Sequence, residues 1–365
     1  MNPTIKTAFS IMLLSAASLA GAQVSANSEM SSPNLRATNL PGVKSHIAPP
    51  ASFDALTASD TELANFGFPP RPDEYSAPKA FAVWKKAVTA SKQRVFAKVE
   101  QTNVFHKPGQ KATPKNITAD VSVKNGLAYS SNWSGSMNLN GVRSYNSNSF
   151  YFVFADYVVP VARQAYGACT GGWDWSSSWV GIDGWGSPDV LQAGIEADAY
   201  CLNILGIQYN STYYSAWYEW YPYGEVRINN SSFPVAPGDD LFVEVWNTSP
   251  TVGHAYIVNY QTNLAVEYTF SAPQGTTLVG NSAEWVVEAP TVNGGLANLT
   301  NYISDYFSDE YAYPFSGAGV DPGSSNSYNV DMLDSKGYII SYPTLLGPNA
   351  MWMQDANSAR YATAP

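Results

Sequence analysis

The sequence has little that titrates near neutrality or binds metal. Of 365 residues only three are histidine and two are cysteine, and 13% are charged. His46, His106, His254, Cys169 and Cys201 show no metal-ligand spacing, so no metal and no other cofactor is expected. The Gly-x-Ser-x-Gly elbow, the Walker loop and the dinucleotide fingerprint are all missing. His254 is the only histidine after residue 127, and its place at the start of a strand-like run reads as structural. A Ser-His-Asp triad is therefore not expected. Long apolar runs are also lacking. The longest, Ala8 to Ala20, falls short of the about 20 residues that a membrane-spanning helix needs.

What is present points to a packed, turn-rich body. The chain is 45% hydrophobic and 14% aromatic, with 24 Tyr, 27 Gly and 24 Pro, a balance that suits strands better than a helical bundle. The net charge of −10 repels phosphate backbones, so nucleic acid is not an expected partner. Carboxylates, amides and aromatics are what remains to carry chemistry.

The organisation reads in three parts. Residues 1–22 look like an export signal: Lys6, the apolar run, then Ala20-Gly21-Ala22 as a small-x-small cleavage pattern before Gln23. The expectation is a soluble product, extracellular or periplasmic, in which Cys169 and Cys201 could pair or stay as buried thiols. Charge then divides the chain. Residues 1–127 carry 14 Lys+Arg against 8 Asp+Glu; residues 128–365 carry 5 against 21. Within the basic region, residues 23–65 read as loosely ordered and Phe66 to Pro72 as extended. Residues 79–100 read as a helix with Phe81, Val83, Trp84, Ala87 and Val88 on one side, and residues 107–124 as a linker. A basic, separable region (23–127) ahead of an acidic body (128–365) suggests a pro-segment held over the body by charge at neutral pH and released in acid. A basic domain that stays attached is the alternative.

From residue 128 the apolar pattern has period two. Phe150 to Phe154, Leu241 to Trp246, His254 to Tyr260 and Ala265 to Phe270 read as strands separated by turn clusters, with a hairpin at 259–266. The fold class expected is all-β, an antiparallel β-sandwich behind a partly helical pro-segment. Four stretches stand out: Ser178 to Gly184, Val190 to Gly194, Ala216 to Pro222 and Ala283 to Pro290. Strand alternation puts Glu284, Val286 and Glu288 on one face, and Trp217, Glu219 and Tyr221 on one face. Turned toward one concavity, these make an acid- and aromatic-lined groove. Gln192, an amide among apolar residues, needs a partner or a role.

These four stretches, preceded by Ser131-Asn132-Trp133-Ser134-Gly135, resemble the glutamic peptidases of the G1 family, or eqolisins, in the family's own motif order over roughly residues 128–345. The resemblance implies a β-sandwich endopeptidase working in acid on protein or peptide substrates. It also implies a Gln/Glu dyad: Gln192 from Leu191-Gln192-Ala193-Gly194, and Glu288 as the second glutamate of Ala283 to Glu288. Glu288 would be general base and then acid toward water, at a low or ordinary pKa, and Gln192 the oxyanion donor. Trp179, Asp183, Trp217 and Glu219 match residues that orient the dyad or bind substrate, and Glu284 is the fallback base. The chain departs from the pattern at Glu288-Ala289-Pro290, where fungal members usually have Glu-Asp-Phe, and in a longer segment between Gln192 and Trp217. The pro-segment is expected to act as an intramolecular inhibitor and the product to be a monomer. The competing readings are a glycan-acting enzyme and a lectin-like module.

Overall fold

The computed structural model describes residues 29–90, 93–115, 126–165, 169 and 171–356. The export signal and residues 116–124 of the expected linker lie outside these. No helix among the described residues is long and apolar enough to cross a membrane.

The basic region is more ordered than its composition suggests. Strand β1 (Val43–His46) and helices α1 (Asp60–Asn65) and α2 (Pro78–Ala90) are followed by strand β2 (Val99–Gln101). Helix α1 starts at a capping box, Ser59 with Glu62, that satisfies two otherwise orphaned N–H groups. Helix α2 buries Ala80, Val83, Trp84, Ala87 and Val88, and the Trp84 indole N–H donates to the Pro69 carbonyl of the extended stretch at 3.1 Å. It ends at Ala90, ten residues before the expected end. Beyond it the chain is claimed by the body's sheets: Gln93–Arg94 pairs with Leu264–Ala265, and β2 pairs with residues 226–228. Strand pairing with a preformed edge outweighs the modest helical preference of residues 93–100.

The body is built from strands β3 (Trp133–Leu139), β4 (Phe150–Val158), β5 (Ser177–Ile182), β6 (Val190–Ile204), β7 (Ile207–Tyr221), β8 (Val226–Ile228), β9 (Asp240–Ser249), β10 (Val252–Asn259), β11 (Leu264–Ser271), β12 (Ser282–Glu288), β13 (Ser304–Pro314), β14 (Ser327–Leu333), β15 (Ile339–Gly347) and β16 (Ala350–Asp355). Pairing runs antiparallel in the order β14-β3-β12-β5-β6-β7-β8 through one sheet, and β16-β13-β4-β9-β10-β11 through the other. Strand β15 pairs with both β14 and β16 and joins the two along one edge. The result is an antiparallel β-sandwich, and the body has no helix among its described residues. Val180, Ile182, Leu191, Ala193, Ile195, Val243 and Val245 fill the space between the sheets. The same alternation sends the opposite faces of β5, β6 and β12 outward, and those faces build the groove.

The basic region adds an edge strand to each sheet, β2 beside β8 and β1 beside β11. The long β6–β7 hairpin, two arms of 15 residues, is fastened near its far end by a disulfide between Cys169 and Cys201.

Candidate active site

Strand register lays out the groove in three rows across β7, β6, β5 and β12. Glu219, Gln192, Gly181 and Glu284 form one row; Trp217, Gly194, Trp179 and Val286 the next; Ser215, Glu196, Ser177 and Glu288 the third. All have the same parity, so all face one side. The glycines make room for the aromatic between them. A Cβ on Gly194 would press on the Ser178 carbonyl and lie 2.5 Å from Trp179 Cβ, and one on Gly181 would lie 2.7 Å from the Trp179 ring. Trp179 can therefore lie in the floor of the groove, where its indole N–H donates to Glu288 Oε2 at 3.0 Å. The Trp217 indole N–H is fixed by Ser177 Oγ at 3.0 Å.

A segment of the basic region lies in this groove. Thr102 N–H donates to the Glu225 carbonyl, and Val104–Phe105 pairs with Thr291–Val292. Further on, Gly109 N–H donates to the Gly184 carbonyl, and Lys111 bridges to Ser130. Residues 107–111, expected as linker, are held along their length.

At the centre of this segment the His106–Lys107 peptide group meets both Gln192 and Glu288. Gln192 Nε2 donates to the His106 carbonyl at 2.6 Å, and Lys107 N–H donates to Glu288 Oε1 at 3.1 Å. His106 N–H donates to Glu219 Oε2 at 3.0 Å. The His106 ring stacks on Trp217 with centroids 3.8 Å apart and planes 9° from parallel. Its Nε2 is 3.1 Å from Glu196 and 3.4 Å from Glu225, and its Nδ1 is 3.5 Å from Glu288.

Of the residues singled out from sequence, Gln192, Glu288, Trp179, Trp217 and Glu219 converge on this peptide group or on the side chains beside it. Asp183 does not. It sits at φ 69°, with its carboxylate accepting from the N–H groups of Val279, Gly280 and Asn281, so it anchors the loop before β12. Glu284 lies opposite Gly181 in the row of Gln192, two rows from Glu288, and no hydrogen bond joins it to residues 102–112 among the described residues. Three further residues of the body complete the site. Asn132 donates to Glu288 Oε1 at 3.2 Å and to the Lys107 carbonyl at 3.2 Å. Glu196 follows Gln192 by four on the same face, a period-two signal available in the sequence. Glu225 comes from the turn after β7 and gave no local signal. His254, read as structural, pairs with Glu29 of the basic region at 3.0 Å, and Glu267 takes His46 at 3.0 Å.

Electrostatics at the site follow from burial. His106, Gln192, Glu196, Glu219, Glu225, Glu284 and Glu288 are all buried. Burial alone would depress the His106 imidazole, but its hydrogen bonds to Glu196, Glu225 and Glu288 hold its pKa well above the ordinary 6.5. Burial raises Glu288, opposed by hydrogen bonds from His106, Asn132 and Trp179. The expected low or ordinary Glu288 pKa is thus not found while residues 102–112 cover it, because desolvation outweighs its donors. Burial lifts Glu219 well above its usual range and Glu196 to about 7. Burial would raise Glu225 as well, but His106 and Arg227, 2.9 Å away, keep it low. His106, Glu196 and Glu225 offer ligand atoms within 4.8 Å of one another, close enough for a cation. With Arg227 beside Glu225 and the His106 imidazole, its pKa raised, between the carboxylates, these side chains also form an ion-pair network.

Comparison with known proteins adds the following. The model of the Peptidase A4 family matches residues 131–349. The chain is 28% identical over 218 residues to aspergillopepsin-2 of Aspergillus niger, covering 56% of this chain and 71% of that protein. It is 30% identical over 193 residues to scytalidopepsin B of Scytalidium lignicola, covering 53% of this chain and 63% of that protein. Among solved structures, scytalido-glutamic peptidase with a transition state analog inhibitor aligns with a TM-score of 0.49 at 23% identity, over 62% of this chain and 98% of the other. Aspergilloglutamic peptidase from Aspergillus niger aligns with a TM-score of 0.42 at 27% identity, over 50% and 99%.

Proposed function

Because the chain belongs to the Peptidase A4 family, the eqolisin or G1 glutamic peptidases, we propose that it is the precursor of an exported endopeptidase that cuts proteins in acid through Gln192 and Glu288. The family membership sets aside the glycan-acting and lectin-like readings. The observation that carries the dyad is the grip on one peptide group: Gln192 on its carbonyl and Glu288 on its N–H.

In the reaction Glu288 takes a proton from the attacking water and returns it to the departing nitrogen. Gln192 Nε2 donates to the carbonyl oxygen as it becomes an oxyanion. The neutral amide keeps its donors at any pH, which suits work in acid. Asn132 and Trp179, donating to the two oxygens of Glu288, orient the carboxylate and favour its charged form. Asp183 acts at one remove, by fixing the loop that leads into β12.

The basic region is the inhibitor. While residues 102–112 fill the groove, the Lys107 N–H occupies Glu288 Oε1, the His106 carbonyl occupies the Gln192 amide, and no substrate can reach them. Charge holds the region down: Lys86 of α2 is 2.7 Å from Asp156 and 3.5 Å from Asp240. Burial raises the Asp156 pKa to about 7, against the pull of Lys86, so acid neutralises this anchor early. The released product is read as a monomer.

The test is incubation of the purified full chain over a pH series with a denatured protein substrate, with and without an inhibitor of aspartic proteases. The proposal expects digestion in acid only, unaffected by that inhibitor, and a new N-terminus beyond the export signal. Digestion abolished by the inhibitor, or no digestion at any pH, contradicts it.

A further inference from the structure

The His106 pocket fixes more than the inhibitor, and this inference rests on the peptidase reading above. We propose that this pocket is the subsite for the residue on the acyl side of the cut bond, and that it selects planar cationic side chains, histidine and arginine, in peptide substrates.

The register comes from the dyad. The carbonyl on Gln192 is the one water attacks, and it belongs to residue 106. The N–H facing Glu288 belongs to residue 107, which takes the leaving-group position. Glu219 on the N–H of residue 106 fixes the backbone just before the bond. The side chain of residue 106 therefore marks where a substrate's acyl-side residue goes.

The pocket's chemistry is specific. Its floor is the Trp217 indole, parallel to the occupant at 3.8 Å. Its far wall is Glu196 and Glu225, and its near wall is Glu288. A flat ring gains stacking on the indole, and a flat cation gains more, because the indole face is electron-rich. Both ring nitrogens of the occupant face carboxylates, Nε2 toward Glu196 and Glu225 and Nδ1 at ion-pair distance from Glu288, and only the protonated imidazole presents an N–H on both sides. A guanidinium offers the same combination of flatness and forked donors. An aliphatic side chain would take the cation away from Glu196 and leave Glu225 with Arg227 as its only cation, and an aspartate would meet like charge. Lysine reaches the carboxylates but brings no planar face. Arg227 stands behind Glu225 and stacks over Tyr213, its Cζ 4.8 Å from the ring centre, and so holds that wall in place.

The experiment uses the full chain, incubated in acid until it digests protein. It is then given internally quenched peptides of one sequence that vary at a single position: His, Arg, Lys, Phe, Ala or Asp. Mass spectrometry locates the cut. The inference expects cleavage directly after the varied residue, with kcat/KM for His and Arg about tenfold or more above Phe and Ala. In Glu196→Gln and Glu225→Gln the His-to-Phe ratio, read within each preparation, falls toward one. Protein digestion with His and Arg no better than Ala, or with cuts elsewhere, overturns the subsite and leaves the peptidase reading standing. If neither protein nor any peptide is cut, the peptidase reading fails and the subsite with it.

Discussion

Gln192 and Glu288 hold opposite edges of one peptide group, the amide of Gln192 2.6 Å from the carbonyl of His106 and the carboxylate of Glu288 3.1 Å from the N–H of Lys107. They stand on strands separated by β5, two rows apart, with Trp179 in the row between them. From this arrangement the expected behaviour of variants follows.

Asn132→Ala removes a donor from the charged form of Glu288, so the Glu288 pKa rises further. The base then loses its charge at higher pH. In the acid-activated protein the acid limb of kcat/KM should move to higher pH, with about tenfold loss at the low end and little change above it. A pH–rate profile with an unmoved acid limb contradicts the role given to Asn132.

His106→Ala removes the ring that fills the pocket on Trp217 and faces Glu196, Glu225 and Glu288. Glu196 and Glu288 then lose the cation beside them, Glu225 keeps only Arg227, and the basic region loses its central anchor. Activation should begin at a higher pH and run faster than in the unaltered chain. The measurement is the half-time for appearance of digestion at fixed pH, and an unchanged half-time counts against the anchor.

Stability should favour acid. Burial raises Asp156, Asp305 and Glu196 each to about 7. A carboxyl with a raised folded pKa contributes stability that is full below its unfolded value of about 4 and lost as pH rises through about 7. Glu267 runs the other way. Burial would raise it, but His46 and His254 hold it low, so its contribution is lost as pH falls. Because Glu267 ties down His46 of the basic region, acid loosens that region while it steadies the body. The thermal midpoint of the full chain should therefore fall between pH 5 and pH 8. A midpoint that rises over that range contradicts this balance.

The disulfide should carry real stability. Cys169 and Cys201 are 32 residues apart, and closing a loop of that length is worth about 3–4 kcal/mol in the chain-entropy picture. Replacing both by serine should lower the thermal midpoint by several degrees without altering the substrate preference, since the bond lies far along the β6–β7 hairpin from Gln192. An equal midpoint in reduced and oxidised protein contradicts it.

Much of the body was legible because period-two alternation depends on neighbours in sequence. Leu241 to Trp246 lies within β9 and Ala265 to Phe270 within β11, His254 to Tyr260 runs one residue past the end of β10, and the expected hairpin turns between Asn259 and Leu264. The shared face of Glu284, Val286 and Glu288 followed from the same rule. What was not legible depends on the partner. Residues 93–100 look helical alone but pair with edges of the body, and residues 107–111 look like a solvated linker but are held by Gly184, Ser130 and Asn132. Asp183 carries a motif aspartate, yet its backbone turn and the three N–H groups of residues 279–281 give it a structural task that no spacing rule reveals. Glu225 reaches the pocket only through the turn at Pro222 to Gly224.

The most direct test of the central claim is protein digestion in acid by Gln192→Ala and Glu288→Gln, each shown to be folded by circular dichroism. If these side chains supply the oxyanion donor and the base, each variant loses at least about a hundredfold in kcat. Digestion at the unaltered rate by either folded variant would contradict it.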